Sequence, residues 1–179
     1  MLMEFIPLKN GKLLEIREAE PEDSAALLAF TKIIGSETPY LNTDENGWPQ
    51  SVTEETQRLA ASLITPRQGL FLHIVEHEIA GLFSVYPQDH RPRTKQNAVF
   101  GVAIRESCWH LGLGAISTTL AIDMAREWGY HKLCLDANAE NVRALSLYRR
   151  FGFIECGRRR EHLFANGAYY DEILMELML

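Results

Sequence analysis

The stretch from Gly101 to Gly129, GVAIRESCWHLGLGAISTTLAIDMAREWG, constrains the fold more than any other part of the chain. An apolar run (Val99, Phe100, Val102, Ile104) passes a polar turn at residues 105–107, crosses Trp109-His110-Leu111-Gly112-Leu113-Gly114 and enters a segment of helical period. Leu113, Ile116, Leu120, Met124 and Trp128 share one helical face, and Gly129 supplies a C-terminal stop. The pattern predicts strand, glycine loop, helix. Gly112 and Gly114 remove Cβ atoms where backbone must approach a ligand, and first-turn N–H groups have no partner inside a helix. With the positive end of the helix dipole they suit an anion, phosphate or diphosphate above all. The loop fits neither common nucleotide fingerprint. No Lys-Ser or Lys-Thr follows the glycines, and Ser117 stands where a dinucleotide loop has its third glycine. By itself a Gly-x-Gly pair also describes an ordinary strand-to-helix turn.

Further on come Leu133-Cys134-Leu135-Asp136-Ala137-Asn138, then Asn141-Val142-Arg143-Ala144-Leu145-Ser146-Leu147-Tyr148, then Gly152-Phe153. Here the sequence resembles the GNAT superfamily of acyl-CoA-dependent N-acyltransferases. Two linked motifs carry the resemblance. The loop [Arg/Gln]-x-x-Gly-x-[Gly/Ala] appears as WHLGLG, and Asn-x-x-Ala-x-x-x-Tyr-x-x-x-Gly-Phe is matched at Asn141, Ala144, Tyr148, Gly152 and Phe153. Weaker resemblance runs from Ile16-Arg17 to the Asn166-Gly167 turn and the final apolar strand, and is greatest to the ribosomal-protein N-acetyltransferase-like branch. Trp109 departs from the Arg or Gln of many members.

The resemblance implies a GNAT-like fold, a mixed, mostly antiparallel sheet with helices on both faces, as one domain over residues 1–179. It implies acetyl-CoA as acyl donor, its diphosphate on the N–H groups of Trp109, His110, Leu111, Gly112, Leu113 and Gly114, and its pantetheine arm along Val102 and Ile104. A backbone N–H there would polarise the thioester carbonyl. Asn141 would bond the arm, although its place also suits the N-cap of its own helix. Tyr148 would protonate the departing thiolate, although helical spacing alone makes it a core aromatic. The acceptor would be a primary amine on a protein N-terminus, a polyamine or another small molecule, attacking directly. A non-catalytic acyl-CoA sensor of the same fold and a mononucleotide-binding α/β protein are the alternatives.

No carboxylate stands at residues 97–100, where several branches carry their base. Glu37, His73, Glu76 and His77 remain as candidates. Arg143, Arg149 and Arg150 read equally as phosphate contacts or as helix-surface charges.

A net charge of −6 argues against general nucleic-acid binding and mildly favours a cationic acceptor. Cys108, Cys134 and Cys156 show no metal-ligand spacing and read as reduced, mostly core thiols, so no metal is expected. With no long apolar run and no signal-peptide pattern, the expected place is the cytoplasm, away from membrane; a homodimer is compatible with the resemblance.

Along the chain, Lys12 to Glu18 reads as the first strand, a helix opens at Pro21 and stops at Gly35, and residues 36–50 form a loop that the resemblance places over the acceptor. Ser51-x-x-Glu54 is a capping box for a second helix ending before Pro66. Leu70 to Val75 and Ile79 to Tyr86 read as a hairpin with a bulge near Gly81, and Asn166-Gly167 as the turn of a final hairpin.

Overall fold

The computed structural model describes residues 3–179. Strands β1 (Met3–Pro7) and β2 (Leu13–Glu18) lead through a 3-10 turn at Pro21–Asp23 into helices α1 (Ser24–Glu37) and α2 (Val52–Ile64). Next come β3 (Gly69–Val75), β4 (Glu78–Pro87), β5 (Asn97–Ile104), α3 (Leu113–Glu127), β6 (Lys132–Asn138), α4 (Val142–Arg150), β7 (Ile154–Ala165) and β8 (Ala168–Met178). The strands form one eight-stranded sheet in the order β1-β2-β3-β4-β5-β6-β8-β7. Its one parallel pair is β5 with β6, which the α3 crossover requires.

Alternation along the inner strands sorts side chains onto two apolar layers, while β7 has no buried residue. Phe83, Phe100, Leu133, Leu135 and Met175 pack with Leu113, Ala121 and Ala125 of α3 and Leu145 and Tyr148 of α4. Leu70, Leu72 and Leu82 pack on the other face with Leu27, Phe30 and Ile34 of α1 and Leu59 of α2. Helices thus cover both faces, as expected.

Local signals account for several boundaries. The Ser51 side chain accepts from the Glu54 N–H while the Glu54 carboxylate accepts from the Ser51 N–H, so both halves of the capping box form at the start of α2. Asn166 and Gly167 both take positive φ, as the tight turn between β7 and β8 demands. The β3–β4 hairpin turns on Glu76 and His77, and its register shifts after His73, so the bulge lies beside Gly81.

Two expectations need correcting. Met3–Pro7 pairs with β2 as an additional edge strand, so the strand at Leu13 is second. Gly35 does not end α1, which continues to Glu37. A Cβ at Gly35 would lie 1.8 Å from the Asp44 carbonyl oxygen, so glycine is there because the α1–α2 loop crosses the helix backbone. The Trp48 N–H, donating to Thr31 Oγ1 at 3.1 Å, fixes the loop further along. Gly35→Ala is therefore expected to displace residues 38–50 and to cost about 2 kcal/mol, read as a lower urea midpoint together with faster proteolysis inside that loop.

Candidate active site

Strands β5 and β6 pair over only three positions, Asn97–Val99 against Lys132–Cys134. Beyond them β5 follows β4 and β6 follows β8, and the sheet opens. Asn97 accepts from the Gln88 N–H and the Arg105 N–H donates to Ala80, both at 2.9 Å, so odd-numbered residues of β5 bond to β4. By alternation, Phe100, Val102 and Ile104 turn their backbone groups toward the opening. On β6, the Ala139 N–H donates to Asp171 at 2.9 Å, so Asp136 and Asn138 face the opening from the other side. The result is a gap in the sheet edged by polar backbone.

A cavity of about 510 Å³ occupies this gap. Val102, Ile104, Trp109, His110, Gly112, Leu113, Gly114, Asn141 and Tyr148 all line it. Leu111 does not; it borders a separate space of about 170 Å³ with Lys12, Glu76 and Cys108. Thr38, Tyr40 and Leu41 of the α1–α2 loop close the far side.

Gly112 is the N-cap of α3 and takes φ +97°, a conformation that explains glycine there; a Cβ would meet nothing within 4 Å. At Gly114 a Cβ would press on Leu147 of α4 at 3.2 Å, so this glycine lets the two helices approach. Among the described residues the Leu113 and Gly114 N–H groups have no hydrogen-bond partner, and they open on the cavity.

Trp109 reaches back across the turn, its indole N–H donating to the Ile104 carbonyl at 2.8 Å. That bond takes one of the β5 groups facing the gap, leaving the Ile104 N–H and both Val102 groups. Asn141 caps α4 by accepting from the Ala144 N–H at 3.1 Å, which leaves its amide N–H groups free on the cavity wall.

Tyr148 belongs to the core and the cavity at once. It is 7% exposed, with its ring edge-on to Phe100 (centroids 6.2 Å apart) and to Phe153 (5.9 Å). Burial pushes its phenol up to about 12, and among the described residues no hydrogen bond or charge moves it.

None of the four candidate bases lines this cavity. The Glu37 carboxylate accepts from Arg105 Nε at 2.8 Å and the Glu106 N–H at 2.7 Å, tying the end of α1 to the turn after β5. Glu76 pairs with Lys12 at 2.6 Å on the hairpin turn, where His77 is exposed. His73 is fully buried. The carboxylate that does line the cavity is Glu140, just before the α4 cap; no local pattern distinguishes it in the sequence. The cysteines also differ from the expected core placement, Cys108 and Cys134 being half-buried and Cys156 exposed. Among the described residues no cluster is suited to hold a metal, and no helix is long and apolar enough to cross a membrane.

The family model described as Acetyltransferase (GNAT) family matches residues 29–153. No curated protein matches the chain. Among solved structures, an acetyltransferase of the GNAT family from Streptococcus pneumoniae is 28% identical with a TM-score of 0.87, over 93% of this chain and 99% of that one. A ribosomal-protein-alanine N-acetyltransferase from Brucella melitensis is 23% identical with a TM-score of 0.75, over 92% and 99%. The putative acetyltransferase yncA from Salmonella typhimurium, solved with acetyl-CoA, is 18% identical with a TM-score of 0.79, over 93% and 94%. At such identities the last two likenesses speak for the fold alone.

His73 supports the site from below. The Ser117 hydroxyl donates to the Leu113 carbonyl at 2.8 Å and so accepts from His73 Nε2–H at 3.1 Å, which joins β3 to the first turn of α3. Burial holds the imidazole down to about 4, neutral in the native state. Between about pH 6.5 and pH 4 the unfolded chain binds a proton here that the native state does not, so stability present above pH 6.5 is lost as pH falls through that window. His73→Gln is expected to remove this part of the pH dependence, up to about 3 kcal/mol, seen as a smaller difference between urea midpoints at pH 7 and pH 4.5 than in the parent.

Proposed function

The chain belongs to the GNAT acetyltransferase family and is an acyl-CoA N-acetyltransferase, and from that premise we propose that it moves the acetyl group of acetyl-CoA directly onto a primary amine. The observation that carries the reading is Tyr148, a buried phenol with no hydrogen-bond partner among the described residues, on the wall of a gap whose other edge is unpaired β5 backbone. The continuous sheet supports treating residues 1–179 as a single domain.

In this reading the Leu113 and Gly114 N–H groups at the start of α3 hold the donor's diphosphate. The Val102 and Ile104 backbone pairs with the pantetheine arm like an added strand, and the free Asn141 amide bonds it from α4. The amine enters from the side of Thr38, Tyr40 and Leu41. Its nitrogen attacks the thioester carbonyl, the C–N bond forms, and the C–S electron pair leaves on sulfur.

Tyr148 faces that sulfur as a hydrogen-bond donor. Held at about 12, the phenol is protonated throughout the neutral range, so the donor is always in place. The same elevation makes it a reluctant acid toward a thiolate, whose conjugate acid lies near 8.5. Its contribution is therefore greatest as the sulfur becomes negative, and the proton it gives up is replaced from the newly cationic nitrogen. The products are amide and CoA thiol, with no acyl-enzyme step.

Tyr148→Phe keeps the ring that packs between Phe100 and Phe153 and removes only the hydroxyl. The expected outcome is a fall in kcat of about 100-fold with acetyl-CoA affinity nearly unchanged, measured by thiol release across a panel of amines and by calorimetric binding. Unchanged kcat would remove Tyr148 from the chemistry. Failure of acetyl-CoA to raise the melting temperature of the parent at millimolar concentration would remove the donor site itself.

A further inference from the structure

Trp109 stands where the loop motif ordinarily places a cationic or amide side chain, so the α3 end of the cavity has backbone donors but no charge of its own from that position. The nearest cation comes from a different element. Arg143 occupies the second position of α4, in the first helical turn, where the helix dipole disfavours positive charge. Local helix energetics therefore do not account for an arginine there.

Its neighbours in α4 are accounted for. Arg149 and Arg150 lie in the last turn, where the dipole favours cations, and Arg149 also pairs with Glu155. Arg143 has no carboxylate partner among the described residues. Its guanidinium lies over the Trp109 indole with Cζ 5.7 Å from the ring centroid, and Nη1 is 3.4 Å from His110 Nε2. The indole is itself held by its bond to the Ile104 carbonyl. A fixed ring thus holds an exposed side chain at the cavity wall. The charges on this rim are Arg143, Arg150 and Glu140, together with His110 when protonated.

We propose that Arg143, stacked on Trp109, is the cation that binds the donor's diphosphate, replacing from α4 the side chain that the glycine loop lacks. This rests on the reading of the cavity as an acyl-CoA site and adds to it a charge and the residue that positions that charge. Two helix N-termini, those of α3 and α4, open on the same cavity, and Arg143 is an exposed residue of its wall. A diphosphate lying on the α3 N–H groups comes within reach of a guanidinium fork able to bind two oxygens at once. Trp109 is a positioning residue in this arrangement, and touches the donor only through what it orients.

The test is calorimetric binding of CoA and of dephospho-CoA, which keeps the diphosphate and lacks the 3′-phosphate. Arg143 is exposed, so Arg143→Gln is expected to leave the ligand-free melting temperature unchanged. It should weaken both ligands by the same factor, about tenfold or more, as loss of a charge-assisted bond implies. Arg143→Lys should recover part of the loss. Trp109→Ala should weaken binding too, and combining it with Arg143→Gln should add little, since the second change removes a cation already released.

Less than twofold loss in Arg143→Gln, or a loss confined to CoA with dephospho-CoA unaffected, overturns the proposal; the latter result would assign Arg143 to the 3′-phosphate. Full additivity of the Trp109 and Arg143 changes overturns the positioning role. If the unsubstituted protein binds neither ligand, the acyl-CoA reading of the cavity falls first, and that outcome is distinct from all of these.

Discussion

Three paired positions between β5 and β6 hold the two halves of the sheet together, and the site depends on their ending where they do. Backbone N–H and C=O groups buried without partners are costly, so a gap inside a sheet persists only where something polar can enter it. Here the unpaired edges are Phe100 to Ile104 on one side and Asp136 to Asn138 on the other. β4 and β8 hold the outer edges of the parting strands with continuous ladders, so the opening is a fixed feature of two well-paired half-sheets. The geometry suits an extended chain carrying amides, and a pantetheine arm is one.

The helices around the gap point their N-termini at it. α3 begins immediately after the turn that follows β5, and α4 immediately after β6, so each half-sheet brings one helix start to its own edge. Gly114, by letting Leu147 approach, sets how near the start of α3 can lie to the body of α4. Tyr148 follows from the same packing, since its ring is clamped by Phe100 from β5 and Phe153 beyond α4 while the residue also lines the cavity. The high protonation range of this side chain is the direct result of its burial, and in the proposed reaction one side chain serves both packing and chemistry.

The opposite wall is built differently. α1 overruns Gly35 and ends at Glu37, whose carboxylate holds Arg105 and the Glu106 N–H at the exit of β5. The loop from Thr38 to Leu41 therefore leaves a fixed point beside the gap and folds back over the helix at Asp44. A carboxylate that the sequence offered as a base is in this way a strut, and its removal from the list of bases is a finding about architecture.

Much of this was legible in the sequence because it is written in local chemistry. The capping box at Ser51 and Glu54, the turn at Asn166-Gly167 and the αL glycine at 112 each depend on residues within a few positions of one another, so their patterns survive without a partner. The two spaced motifs were enough to identify the family for the same reason, and Val102, Ile104, Gly112, Gly114, Asn141 and Tyr148 line one cavity. The apolar stripe expected of α3 is not its deepest face, which is instead Leu113, Ser117, Thr118, Ala121, Ile122 and Ala125, with Ile116, Leu120, Met124 and Trp128 only partly buried, because small residues let the helix sit close to the sheet. What the tertiary structure alone decided lies in contacts across long separations. β1 is a short edge strand whose existence depends on β2 as its single neighbour. Gly35 is a helix interior only because Asp44 returns to it, and His73 is a core group only because Ser117 lies above it. The pairing of Arg143 with Trp109 joins the start of α4 to the loop before α3, segments that meet only in the folded sheet. Local sequence determines which element each residue prefers; which free group finds a partner is determined by packing, because hydrogen bonds, burial and charge pairing depend on distance in space.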